Sequence, residues 1–572
     1  MPNAPSPPAG PGFPKSFLEA VASPGGLLVT VGMLLIAVLV TNRIGNPDFW
    51  WQITNANTML TTHHLIATNP YTYTVPGKHW VIAQWAAELL FGLLDHLMGL
   101  GGVELGMAVI IFAGFIVLLI RGRLRQPHYL ALGGGGLLLG ALAGDPIWSP
   151  RAEMITFLFI CLTMLILELA YRGHRRLVLL LVPLSVLWTN LHPGFITEPL
   201  IVGAFIAAAV LARFIGKDEQ NTVPIRLLVL TEILIVAASI LNPYGPSILL
   251  YPFQTQFSSA QEKYIVEWFS PNFHEIFIWP FAAMLLSFVV MTVANRKMTI
   301  RDALVSIGFI IMPLQSVRHV ALFVAVVTPI WIEQASLLLR KIPALQEMDP
   351  APPPAGSPAA TGPGIPTVSV ASSRDTTSTA SARGHSPSEL PRLAIPLSIL
   401  VILATAAGVV AHAASTVSAG VDSLYYARQF PVCASSFLAE LPPRLHVFNQ
   451  YGEGGYLAMA LHNRGDKVFI FGDAALMGNA TLYEYEAITT DTPAWDQDLV
   501  SSGTNIILFD ENTPLTTMLL ASPDWVEVYH DPLNIAFVRR SDTALLHQAL
   551  AAPPPQTPAC ISLRKHGLGK SA

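Results

Sequence analysis

Charge is scarce in this chain of 572 residues: Asp, Glu, Lys and Arg make up only 12% of it, about half the share of a soluble domain, while 52% is hydrophobic. An ordinary soluble enzyme is thereby excluded, and a polytopic membrane protein is expected. No basic run interleaved with aromatics occurs and the formal net charge is only −5, so no nucleic acid is expected as partner. Cysteine is nearly absent. Cys161, Cys433 and Cys560 show no CxxC spacing, which supports neither a zinc site nor a disulfide framework; Cys433 and Cys560 can pair if both lie outside the cytoplasm. No GxGxxG fingerprint follows a strand, and dinucleotide binding is not indicated.

What the chain does have is long apolar runs. A bilayer core takes about 20 apolar residues in a helix, and spans are expected at 24–42, 102–120, 129–147, 152–171, 176–191, 195–214, 224–242, 275–294, 302–316, 318–338 and 393–414. A further apolar helix, 82–98, places Gln84, Glu88 and Asp95 on one face, which suits a helix lying in the interface. With that helix not spanning and the amino terminus cytoplasmic, every basic loop falls inside: 121–125, 171–176, Arg213 with Lys217 and Arg226, 295–301, and Arg340 with Lys341. The reading is eleven spans, with the carboxyl terminus outside.

The expected organisation is a disordered, Pro-rich amino terminus (1–23), a transmembrane domain (24–342) with its first outer loop at 43–101, and a disordered cytoplasmic linker (343–392). A last transmembrane helix (393–414), a small periplasmic α/β domain (415–545) and a disordered tail (546–572) follow. In the α/β domain RLHVFN, DKVFIFGD, TNIILFD, WVEVYHD and NIAFVRR read as strands, and 432–441, 454–463 and 512–521 as helices. The YGEGGY turn (451–456) reads as a tight strand-to-helix turn with Tyr456 packing inward, or as a place where a ligand nears the backbone.

Polar residues in or beside spans are expensive and usually have a reason. On this topology Asp48, Glu88, Arg151, His192, Glu198, Glu267, Arg318 and His319 gather on the outer side, as an outward-facing site requires. Each also has a plainer reading. Trp50 and Trp51 suit an aromatic belt, Asp48 suits a helix cap, and adjacent His63 and His64 are more readily surface residues than metal ligands. Arg318-His319, a polar turn between two spans, places a guanidinium at headgroup level, where a phosphate is its natural partner.

The strings PDFWWQ, NPYTYTVPGKHWVIAQWAAELLFGLL, WTNLHPGF, LNPYG, SVRHVALF and FNQYGEGGYL, in this order over 43–540, resemble bacterial membrane proteins grouped with the glycosyltransferase C superfamily. The resemblance implies an all-α polytopic domain of about 11 transmembrane helices with a small C-terminal α/β periplasmic domain, in the bacterial inner membrane. It also implies a polyprenyl-phosphate-linked sugar as donor, membrane lipid and a periplasmic acceptor as further partners, and an Asp in the first outer loop as base. That Asp is Asp48. Many superfamily members carry two acids there; here the second is expected from Glu88. Trp50, Trp51, Gln52, Arg151, His192, Arg318 and His319 are expected to bind substrate. In FIFGDAALMG the Arg of closer relatives is missing, so no role is assigned to Asp473. No cofactor is marked, and a divalent metal stays open. Two rival functions also stay open: a non-catalytic envelope assembly protein, since there is one acid where two are usual, and a lipid or solute transporter using Glu198 and Glu232, although no inverted repeat is seen.

Overall fold

The computed structural model describes residues 24–126, 130–216, 222–341, 394–417, 420–490 and 492–566. The segments 1–23 and 343–392, expected to be disordered, lie outside these residues.

Each expected span coincides with a helix: Pro24–Val40, Leu100–Arg125, Leu130–Ala143, Glu153–Tyr171, Leu181–Leu191, Thr197–Phe214, Ile225–Ser239, Trp279–Asn295, Ile300–Gln315, Val320–Leu339 and Ala394–Val417. Among the described residues, six helical stretches are long and apolar enough to cross a membrane on length and composition alone. The chain is a multi-pass membrane protein. Where lipid tails are as apolar as the side chains, close packing takes over as the driving force. The glycine run at 133–136 supplies it: a Cβ on Gly134 would come within 3.1 Å of the Leu28–Val29 backbone, and one on Gly136 within 2.6 Å of Ile332. At one end of the bundle Arg125 joins Glu168 (3.0 Å), Asp302 (2.8 Å) and Glu333 (2.5 Å), each from a different helix.

The doubtful segment 82–98 forms the 14-residue helix Trp85–Met98. It lies along the helix Asp48–Thr62, where Gly92 has no room for a Cβ beside Ala56 (2.8 Å) and Phe91 meets Phe49.

The C-terminal region is a five-stranded sheet of β1 (His446–Asn449), β2 (Lys467–Val468), β3 (Ile506–Asp510), β4 (Trp525–His530) and β5 (Asn534–Arg539), in the order β2-β1-β3-β5-β4. β1 runs parallel to β2 and β3, and β5 antiparallel to β3 and β4. Parallel pairing needs crossovers, usually through helices. Gly454–Leu461 supplies the one from β1 to β2, and Ala474–Thr489 with Trp495–Ser501, both unforeseen, lie between β2 and β3. The tail from 546, expected to be disordered, is helical over Thr543–Ala551 and Pro558–His566. Cys560 in the second of these is disulfide-bonded to Cys433, and this anchor is why a Pro-rich segment is held in place.

The exposed edge of β2 does not stay open. Residues 71–74 of the first loop run alongside it: Val468 donates its N–H to the Tyr71 carbonyl (3.0 Å) and Tyr73 donates to Val468 (3.2 Å), with Thr72 and Val468 in parallel register. Thr74 Oγ1 donates to the Phe469 carbonyl at 2.7 Å. An unpaired edge is a liability until something covers it; here the first loop does so.

Candidate active site

A cavity of about 860 Å³ opens where the helix ends meet the C-terminal sheet region. Asp48, Trp51, Gln52, Glu88, Arg151, His192, Arg318 and His319 all line it. Trp50 does not. It is fully buried, edge-on to Tyr426, Phe430 and Tyr456, because helical neighbours point about 100° apart and only one of the two tryptophans can face the cavity. Neither His63 nor His64 lines it; both are exposed. Glu198 and Glu232 also lie elsewhere.

Asp48 is the first residue of its helix, yet it caps nothing. The preceding turn is held by Asn46, whose Oδ1 accepts the Asp48 N–H (2.8 Å), and no side chain caps the helix. The carboxylate is left for the cavity, where Trp51 Nε1 donates to Oδ1 at 3.3 Å. Burial, then the charges of Glu267 and Asp473, push Asp48 up to about 6, against the opposing pull of the Trp51 N–H and of Arg151.

The same cavity is lined by two guanidiniums sharing one carboxylate. Arg151 meets Glu153 Oε2 at 3.0 Å and Glu267 at 2.8 Å, Arg318 reaches the same Glu153 oxygen at 3.4 Å, and its guanidinium stacks over Trp268 at 4.8 Å. Burial works against the charge of Arg151, but Glu153 and Glu267 outweigh it and raise its pKa. Two cations and two carboxylates cancel, which lets Arg151 and Glu153 stay charged although buried.

His192 is set in a single tautomer. Its Nδ1 accepts the Gly194 N–H (3.0 Å), and Trp188 Nε1 donates to Thr156 Oγ1 (2.9 Å), which leaves the Thr156 hydroxyl proton free to point at Nδ1 (2.9 Å). The proton of the neutral ring therefore sits on Nε2. Burial lowers the His192 pKa to about 4. Gly194 has to be glycine, since a Cβ there would stand 2.4 Å from Thr156 Oγ1, nearer than its own threonine partner tolerates.

Glu88 was expected to be the second catalytic carboxylate. It forms part of the wall but is fully buried, accepting from Asn55 Nδ2 at 3.2 Å, while Asn55 Oδ1 accepts from Tyr71. Burial holds its pKa well above the usual range. Glu153, Glu267 and Asp473, none of them proposed as catalytic from sequence, present acids to the same cavity. For Glu153 a signal existed in the RAE triplet opening a span; for Asp473 it was the cap it forms on the Ala474–Thr489 helix, accepting from Leu476 N–H. Among the described residues no group of three or more His, Cys, Asp or Glu is arranged to hold a metal ion.

The YGEGGY turn takes the plainer of its two readings. Tyr456 is buried and stacks on Phe430, a Cβ on Gly454 would overlap the Ile470 carbonyl, and one on Gly455 would come within 2.6 Å of the Pro47 carbonyl. Gly454 and Gly455 admit neighbouring backbone rather than a ligand, while Tyr451 and Gly452 of the same turn line the cavity.

No protein-family model matches the chain, and no curated protein matches it. Among solved structures it is similar to the oligosaccharyltransferase AglB of Archaeoglobus fulgidus, in complex with an inhibitory peptide and a dolichol-phosphate. The TM-score is 0.51 at 12% identity, over 84% of this chain and 69% of that one. An Archaeoglobus fulgidus oligosaccharyltransferase tethered to an acceptor peptide containing the NVT sequon matches at TM-score 0.50 and 14% identity, over 87% and 69%. ArnT of Cupriavidus metallidurans bound to undecaprenyl phosphate gives TM-score 0.46 and 12% identity, over 92% and 98%. At such identities the likeness is one of fold: the chain shares the fold of the archaeal oligosaccharyltransferase, here a polytopic helical domain followed by a small sheet-containing region.

Proposed function

We propose that this chain is an integral membrane glycosyltransferase that moves a sugar from a polyprenyl-phosphate donor to an acceptor on the outer face of the cytoplasmic membrane. The observation that carries this reading is the placing of Asp48 and two guanidiniums, Arg151 and Arg318, in one cavity beside the membrane helices. The similar archaeal enzyme, seen with a dolichol-phosphate and an inhibitory peptide, lends the donor class and the idea of an extended acceptor.

Asp48 takes the proton of the acceptor hydroxyl as its oxygen bonds to the anomeric carbon, and the bond from that carbon to the phosphate oxygen breaks. The electron pair leaves on the polyprenyl phosphate. General-base help of this kind is typically worth about 10²–10⁴ in rate. Charge gathering on the leaving phosphate is met by Arg318 and Arg151, and the His192 Nε2–H adds a neutral donor. Trp51 holds the base in place through its N–H and offers an apolar face beside it. Glu88 serves the wall, and Gln52 and His319 complete the lining. The membrane helices hold the lipid tail so that the reactants meet without translational search.

Two features support an amino terminus in the cytoplasm and a periplasmic C-terminal region. The Cys433–Cys560 disulfide suits an oxidising compartment, and the helix Leu100–Arg125 runs from Gly101, packed on Val417 beside that region, to basic residues at its far end. The test uses protein in nanodiscs and a panel of polyprenyl-phosphate-linked hexoses and pentoses. Release of polyprenyl phosphate is expected with at least one, and Asp48→Asn abolishes it without lowering the melting temperature. Full turnover by Asp48→Asn overturns the assignment of the base; movement of a lipid-linked sugar across the bilayer with no bond broken overturns the transferase reading.

A further inference from the structure

Both ends of the chain build the surroundings of Asp48. The carboxylate comes from the start of the Asp48–Thr62 helix, and the backbone that closes over it comes from the turn 471–473, beyond β2. Gly472 sits so close that a methyl group there would overlap Asp48 Oδ1. Phe471 packs against Trp51 (ring centroids 5.7 Å) and Trp80 (5.8 Å), so the same turn steadies the indole whose N–H reaches Asp48. Asp473 follows. One of its oxygens accepts from Leu476 N–H (3.0 Å) and the other from Trp80 Nε1 (2.7 Å), which fixes the carboxyl at the cavity edge.

We infer that Gly472 and Asp473 are positioning residues for the proposed base: Gly472 by admitting bare backbone against the Asp48 carboxylate, Asp473 by holding a second carboxylate beside it. The C-terminal region is thus part of the reaction chamber and not only a platform for acceptor. The inference rests on Asp48 being the base and names what sets its working state. Other groups facing Asp48 are Glu267 from the turn Val266–Trp268, Arg151 from the approach to the Glu153–Tyr171 helix, Tyr451 from the turn Tyr451–Glu453 and Tyr251 from the helix Tyr251–Gln256. Of the two acids that act on Asp48, Glu267 is ion-paired with Arg151 at 2.8 Å, whereas Asp473 accepts hydrogen bonds from neutral donors only and feels the Lys78 ammonium, itself bonded to the Leu476 carbonyl, without an ion pair. Removing the Asp473 charge should therefore act on Asp48 directly.

The experiment is an infrared pH titration of the full chain in nanodiscs with ¹³C-labelled aspartate, the Asp48 band being isolated as the difference from the Asp48→Asn protein. No substrate is needed. Asp48 is expected to titrate near 6. In Asp473→Asn, which keeps an oxygen for the helix cap, the midpoint should fall by about 0.5 unit or more, as loss of a neighbouring like charge demands. Gly472→Ala should displace the carboxylate and alter its band position. If that variant does not fold, Asp473→Asn still decides the matter. An Asp48 midpoint unmoved in Asp473→Asn overturns the inference even when Asp48→Asn is inactive; an active Asp48→Asn overturns the base assignment instead, so the two failures are distinguishable.

Discussion

A carboxylate placed half-buried beside two other acids stores a cost in the folded protein. The Asp48 pKa stands at about 6 against the ordinary 3.8, so the native state holds that proton more tightly than the unfolded chain does. The sign follows from linkage: its contribution to stability is full below about pH 4 and is lost as pH rises through about 6. Asp48→Asn should accordingly melt higher than the parent at pH 7.5, and the difference should shrink to nothing near pH 4. Thermal melts at the two pH values check this; equal midpoints at pH 7.5 would mean that the carboxylate is better solvated than its surroundings imply. Acids at reactive positions commonly carry such a cost. Asp48 itself was legible in the sequence because an acid directly after an apolar span invites a reason. Which of the neighbouring tryptophans would attend it was not. Trp50 and Trp51 are identical in type, and only the rotation of a helix not yet placed in space assigns one to the core and the other to the cavity.

At the scale of elements, the spans and the alternation of strands and helices near the carboxyl end were readable, since both rest on local periodicity and on runs of fixed length. Two things were not. The helix Ala474–Thr489 shows little amphipathic pattern and is interrupted at Gly478, and Trp495–Ser501 has only seven residues, too few to show a period. The pairing of residues 71–74 with β2 joins segments far apart in sequence through backbone groups, which carry no side-chain signature. This added strand is what brings the first loop and the turn over Asp48 into one body. Replacing Tyr73 by Pro removes the N–H that donates to Val468. Hydrogen exchange should then report faster exchange at the Val468 amide and in the loop, with the membrane helices unaffected. Unchanged protection at Val468 would show that the Thr74 side-chain bond and packing suffice to hold the edge.

For the molecule as a whole, the ends of the C-terminal region are tied by Cys433–Cys560, 127 residues apart. Closing a loop of that length lowers the entropy of the unfolded chain by an amount equivalent to about 5 kcal/mol in the chain-entropy model. Cys560→Ser should therefore lower the melting temperature of this region markedly, and dithiothreitol should do the same to the parent but not to the variant. A melt insensitive to reductant would show that the bond does not hold this region and would remove one support for the proposed orientation. The addition of residues 71–74 to the sheet also bears on biosynthesis. The segment that lines the pocket at Asp48 leaves the ribosome early, while its partners β2 and Gly472 emerge hundreds of residues later. At about 5–20 residues per second the nascent protein spends tens of seconds inserted in the bilayer with its founding acid uncovered and its first loop unzipped. On the proposed reading, a product truncated ahead of the sheet lacks the backbone that closes over Asp48 and should release no polyprenyl phosphate.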